Sequence, residues 1–97
     1  MIISFGNKLA KDLVEDERSK EVRSFPPELY RTTRKKLAML HAAHTLEDLK
    51  IPPGNRLERL KGRYKDYHSI RINDQWRIMF KFEDNNAHDV RVEDYHS

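Results

Sequence analysis

Tyr67-His68-Ser69-Ile70-Arg71-Ile72-Asn73-Asp74-Gln75-Trp76-Arg77-Ile78-Met79-Phe80-Lys81-Phe82 holds two runs of period two on either side of a polar break, Asn73-Asp74-Gln75. Such a break between alternating runs closes a hairpin. In the second run Trp76, Ile78, Phe80 and Phe82 fall on one face, and Arg77, Met79 and Lys81 on the other. In the first, Ile70 and Ile72 oppose Ser69 and Arg71. A strand turns successive side chains to opposite sides, so one face of this hairpin is built for a core and the other is mostly cationic.

The rest of the chain reads as support for that hairpin. Upstream, Ile2, Ile3 and Phe5 form a short β-prone segment ended by Gly6-Asn7, suited to an edge or to burial on both sides. Lys8 to Glu17 reads as a helix with Leu9, Leu13 and Val14 inward, followed by a solvated charged stretch. Ser24-Phe25-Pro26-Pro27 stops that region, and a second helix is expected from Pro27 to about Ala43, with a basic side of Arg31, Arg34, Lys35 and Lys36. Thr45 to Leu49 looks like a capped helical turn, and Ile51 to Asn55 like a loop.

Arg56 to Leu60 is expected to be a short or bulged strand, and Lys61 to Lys65 a cationic loop carrying an aromatic. After a polar turn at Glu83 to Ala87, His88 to Val92 reads as the last strand with Val90 and Val92 inward. Helices come first and antiparallel strands after, which predicts a single α+β domain over residues 1–97: a small antiparallel sheet flanked by N-terminal helices.

Composition narrows the function classes. Apolar residues are 37% and charged residues 36%, so most of the surface is ionic; the net charge of +3 is too small to indicate nucleic acid without regard to where the charges sit. There is no cysteine, hence no disulfide or thiolate metal site. No apolar run reaches the roughly 20 residues of a membrane helix, and Met1-Ile2-Ile3-Ser4-Phe5 lacks the form of a signal peptide, so a cytoplasmic location without membrane contact is expected. His41, His44 and His88 lack metal-ligand spacing, and neither a metal nor a cofactor is expected.

The hairpin's polar face offers one constellation. Arg71, Arg77 and Lys81 share it, and Arg91, Glu93 and Tyr95 have the parity opposite to Val90 and Val92. If the last strand pairs beside the hairpin, Arg77 and Tyr95 share a surface whose rim Lys61 can reach. Guanidinium forks and ammonium groups bind phosphate oxygens, and aromatics stack on bases, so such a face suits a phosphodiester.

Asn55-Arg56-Leu57-Glu58-Arg59-Leu60-Lys61-Gly62, His68-Ser69-Ile70-Arg71-Ile72, Asn73-Asp74-Gln75-Trp76-Arg77-Ile78 and Val92-Glu93-Asp94-Tyr95-His96 together resemble the HigB-like toxins, a branch of the RelE/ParE superfamily. The resemblance extends over nearly the whole chain. It implies a ribosome-dependent mRNA endonuclease that needs no metal, in which the ribose 2′-hydroxyl attacks the adjacent phosphate. It also implies an antitoxin partner of the HigA-like, helix-turn-helix kind.

By the same resemblance Lys61 and Arg77 are phosphate stabilisers, Tyr95 stacks on or orients a base, and Asp94 and His96 handle protons. Arg59, Arg71 and Lys81 are expected to add RNA contacts. In one place the chain departs from the pattern: some members carry a histidine three residues before the lysine, where this chain has Glu58. Glu58 and His68 therefore stand outside the expected site. A non-catalytic gyrase poison of the ParE kind is the rival reading, as is a degenerate toxin that serves only as the antitoxin's partner.

Overall fold

The computed structural model describes residues 1–95. Its sheet has four antiparallel strands in the order β1-β2-β3-β4: β1 is Glu58–Arg59, β2 His68–Arg71, β3 Trp76–Glu83 and β4 Asn86–Asp94. Ile70 pairs with Ile78, and Ile78 with Val92, which puts the apolar series of three strands on one face. The first turn is closed by Asn73, whose Oδ1 accepts from the N–H of Gln75 (2.9 Å) and of Trp76 (2.7 Å). The second is tighter than the expected Glu83–Ala87 segment. It is a two-residue loop, Asp84-Asn85, with φ of 52° and 64°, a combination that matches the twist of the flanking strands.

β4 is longer than its alternation suggests because it contains a bulge. The register slips between Met79 and Lys81 of β3, leaving Asp89 and Val90 opposite Phe80. Asp89 takes φ 55°, a left-handed conformation that Asp tolerates better than most residues, and its N–H donates to Ser4 Oγ at 2.8 Å. The extra residue resets the parity, so Ala87, Val90 and Val92 all face the core.

The N-terminal segment lies parallel to β4 through bridges Ile2↔Ala87 and Phe5↔Val90, which settles the earlier alternative in favour of an edge. Gly6 is required there. A Cβ on it would sit 2.4 Å from Asp89 Oδ1 and 2.5 Å from Arg91 Nε.

Three helices cover the apolar face: α1 (Lys8–Glu15), α2 (Lys20–Arg23) and α3 (Tyr30–Ala42), the last entered through a 3-10 turn at Pro27–Leu29. Asn7 starts α1 by accepting from Ala10 N–H at 3.1 Å, while its Nδ2 donates to Val92 O (3.0 Å) and Glu93 Oε1 (2.7 Å). One side chain thus caps the helix and fastens it to the end of β4. α1 stops at Glu15, where Asp16 turns left-handed at φ 57°, and Val14 is exposed rather than inward.

α2 begins where the charged run of Glu15 to Lys20 ends, and the sequence reading did not foresee it. Ser19 caps it and Val22 is buried. Leu13, Leu37, Leu40 and Leu49 join Ile70, Ile78, Phe80 and Val90 in one core, and the Phe25 ring meets Trp76 edge-on at 4.9 Å. No helix among the described residues is long and apolar enough to cross a membrane.

The basic side of α3 divides. Arg31 and Lys35 are exposed. Arg34 Nε instead donates to Leu13 O at 2.9 Å, and Lys36 Nζ to the buried Asn55 Oδ1 at 2.7 Å. Burial, and then the charge of Arg71, lower the Lys36 pKa.

Candidate active site

The second face of the sheet is not the open cationic surface that alternation suggests. Met79 is buried there in a small separate core with Leu60 and Tyr67, against which Tyr64 packs. The segment after β1 closes over the sheet: Leu60 N–H donates to Tyr67 O at 2.9 Å, and Gly62–Tyr64 forms a 3-10 turn whose glycine has φ 69°. Sequence alternation missed this cover because the partners come from a loop, with no period of their own.

Beyond that cover lies a polar site centred on Arg77. β1 brings Glu58 opposite Ser69, and the hairpin register puts Ser69 two pairs along from Arg77, on the same face. Arg77 Nη1 donates to Ser69 Oγ at 3.0 Å and contacts Glu58 Oε1 at 3.0 Å. The guanidinium carbon stands 4.7 Å above the Tyr95 ring. The Arg77 side chain is only 12% exposed, although Glu58 is open to solvent.

A guanidinium largely shielded from solvent, whose remaining donors find no side-chain acceptor among the described residues, is prepared for an anion. Tyr95 follows the last strand residue and is held by its own N–H, which donates to Gln75 O at 2.6 Å. Gln75 Nε2 also donates to Asp94 Oδ2 at 2.8 Å. The hairpin turn therefore anchors the end of β4.

The other expected residues are dispersed. Lys61 is exposed at the start of the turn Gly62–Tyr64 and is not among the groups that bond Arg77. Asp94 pairs with Trp76, so its parity is opposite to that of Glu93 and Tyr95, although at the end of the strand it still borders the cleft that they line. Arg71 is drawn to Asp74 at 2.6 Å.

Arg59, the neighbour of Glu58, has the other parity. It lines a polar cleft of about 330 Å³ with Asp66, His68, Lys81, Phe82 and Glu83. Lys81 Nζ also lies 5.2 Å from the Tyr67 ring centroid. Within that cleft His68 stacks on Phe80 at 6.0 Å, and burial, with the charge of Arg59, holds its pKa below 6.5. His96 lies outside the described residues.

A second cleft, of about 640 Å³, opens beside Arg77 and Tyr95; Arg63, Tyr64, Met79, Glu93, Asp94 and Tyr95 line it. Arg91 and Asp89, each about one-third exposed, meet the small core at Tyr67. Tyr67 hydroxyl donates to Asp89, and Arg91 Nη2 approaches Asp89 Oδ2 at 3.6 Å. Burial and that bond raise the Tyr67 pKa. Glu58, Ser69, Arg63 and Tyr64 are thus the residues that sequence reasoning left out of the site. Glu58 has a readable signal, since it sits two residues before the inward Leu60 and so shares its face. Among the described residues no group of three or more His, Asp or Glu side chains is placed to hold a metal ion.

The model of the HigB-like toxins, RelE-like toxins of type II toxin–antitoxin systems, matches residues 3–96. The chain belongs to this family. It is 39% identical over 84 residues to Toxin HigB-1 of Vibrio cholerae, covering 87% of this chain and 86% of that toxin. An uncharacterized protein of Haemophilus influenzae is 35% identical over 68 residues, covering 70% of this chain and 67% of that protein.

Among solved structures, a mutant of YafQ from E. coli superposes with a TM-score of 0.61 at 14% identity, covering 99% of this chain and 96% of that one. The YoeB-YefM complex from Staphylococcus aureus gives a TM-score of 0.61 at 15% identity, covering 100% and 99%. At such identities the likeness is one of fold alone. Membership of a toxin–antitoxin family implies an antitoxin as partner.

Proposed function

We propose that this toxin is an endoribonuclease that cuts ribosome-bound mRNA without a metal, and that Arg77 is its phosphate clamp. The observation that carries the reading is the Arg77 guanidinium, enclosed between Glu58, Ser69 and the Tyr95 ring, with donors left over for an anion. Cleavage requires a base for the 2′-hydroxyl, positive charge for the phosphorane and an acid for the leaving 5′-oxygen.

Glu58 is the base in this scheme. Its carboxylate takes the 2′-hydroxyl proton, and the 2′-oxygen bonds to phosphorus. The bond from phosphorus to the 5′-oxygen then breaks, and that oxygen takes a proton from an acid for which His96 is the candidate. Arg77 neutralises the equatorial oxygens throughout, Lys61 adds charge from the rim, and Tyr95 stacks on a base. Ribosome-bound message is the substrate, in keeping with the family resemblance, and a HigA-like helix-turn-helix antitoxin is the partner that restrains it.

The test is to incubate purified protein with programmed ribosomes and map the chemistry of new 3′ ends. Cyclic or 3′-phosphate ends are expected, and Glu58→Gln should slow their formation by about 10²-fold or more, the usual contribution of a general base. Growth arrest without any cut message would overturn the reading and turn attention to gyrase.

A further inference from the structure

Two tyrosines, each with an arginine against its ring, line the cleft of about 640 Å³: Tyr64 with Arg63, which also lines it, and Tyr95 with Arg77. Arg77 covers Tyr95 at 4.7 Å, and Arg63 covers Tyr64 at 5.0 Å, measured from guanidinium carbon to ring centroid. The turn Gly62–Tyr64 forms one wall, the end of β4 the other, and buried Met79 lies between them. Neither aromatic is loosely held. Tyr64 meets Tyr67 edge-on at 5.7 Å and packs on the small core, and Tyr95 is fixed through its backbone to Gln75. Glu93 is oriented as well, since Asn7 Nδ2 donates to its Oε1 at 2.7 Å.

We infer that this cleft is a nucleobase pocket adjoining the Arg77 clamp, and that Glu93 selects a base bearing an exocyclic amino group against uracil. The inference rests on the nuclease reading of the Arg77 site. Aromatic faces and guanidinium planes are the surfaces on which unstacked RNA bases lie, and every base has such a face, so stacking alone gives binding without choice. Choice comes from the edge. An ionised carboxylate only accepts hydrogen bonds, and after Asn7 is satisfied Glu93 still has lone pairs to offer. Adenine, cytosine and guanine each present an amino donor, whereas the corresponding groups of uracil are carbonyl oxygens that a carboxylate repels. The pocket's volume lies within the range of small-ligand sites, roughly 300–1,000 Å³.

The experiment is a cut-site map on programmed ribosomes whose messages carry each of the four bases on either side of the scissile bond. Wild type, Glu93→Gln, Arg63→Ala, Tyr64→Ala and Tyr64→Phe are compared, with folding checked by thermal melting. The expected wild-type map shows uracil disfavoured about ten-fold at one flanking position, the low end of what a base-edge contact discriminates. Glu93→Gln should bring uracil level with the other bases. Arg63→Ala should weaken cutting at all sequences, as should Tyr64→Ala, with Tyr64→Phe restoring the rate because the ring is kept. A wild type that cuts with no discrimination against uracil at any flanking position overturns the pocket but leaves the nuclease standing. Unchanged discrimination in Glu93→Gln removes Glu93 as the selector. A folded wild type that makes no cut overturns both readings.

Discussion

The two faces of β3 are made from alternate residues of the same eight-residue strand, yet they are completed in different ways. Ile78 and Phe80 meet a continuous core supplied by three helices. Arg77 and Met79 meet pieces: a two-residue strand, a turn and the end of β4. On the first face the neighbours are mostly hydrocarbon, and stability follows from area and fit. On the second, the small core of Leu60, Tyr67 and Met79 occupies one end, and the other end keeps a guanidinium, a carboxylate and a phenol together. The first face holds the strands in place so that the second can carry a site. That division of labour makes the two faces separable by mutation.

The largest effect should come from the helix-covered face. Phe80 is fully buried, and Phe80→Ala is expected to cost about 3–5 kcal/mol in denaturant unfolding, the range for truncating a buried aromatic. A loss under about 1 kcal/mol would mean that this face is not the principal core.

Met79→Ala probes the second face. Its core has fewer members and lies under a loop that can settle, so a loss of about 2 kcal/mol is expected, the low end for such a truncation. Message cleavage should fall at the same time, because Met79 also lies in the cleft beneath Tyr64. An equal loss of stability at both positions would erase the distinction between a principal and a satellite core.

The smallest effect is a pH dependence. Burial and Arg59 hold the His68 pKa below 6.5 in the folded protein, so between the two values the unfolded chain binds more protons. His68 therefore costs nothing above about pH 6.5 and destabilises the fold as the pH drops below it. His68→Phe keeps a ring against Phe80 and should flatten that part of the stability curve, measured by denaturant melts from about pH 5 to 7. A curve parallel to wild type would show that His68 stays solvated.

These contrasts also explain how far the sequence could be read. The helix-covered face was plain from alternation, because Ile70, Ile72, Ile78 and Phe80 all answer to one period. Parity put Arg77 and Tyr95 on one surface only on condition that the last strand pairs beside the hairpin, and the register of β3 with β4 meets that condition. The bulge was hidden: Asp89 is one polar residue among several, and nothing local announces that it will be left out of the ladder. Glu58 stood in view as a departure from the family pattern, but its contact with Arg77 depends on a strand of two residues that propensity could not define. Lys61 looked like a companion of Arg77 through the family resemblance and Lys81 through its shared strand face, and Arg59 was expected to add an RNA contact. In the structure Arg59 and Lys81 share a separate polar cleft, and Lys61 stands exposed at the start of the turn Gly62–Tyr64.

The central claim is that the second face cuts RNA through Arg77 while the first keeps the protein folded. The most direct measurement is the rate of message cleavage on programmed ribosomes by Arg77→Ala, with its melting temperature taken on the same preparation. The account predicts a rate lowered by about 10²–10³-fold, the usual cost of removing a preorganised charge stabiliser, and a melting temperature close to that of wild type. A folded Arg77→Ala that cuts message at the wild-type rate would contradict it.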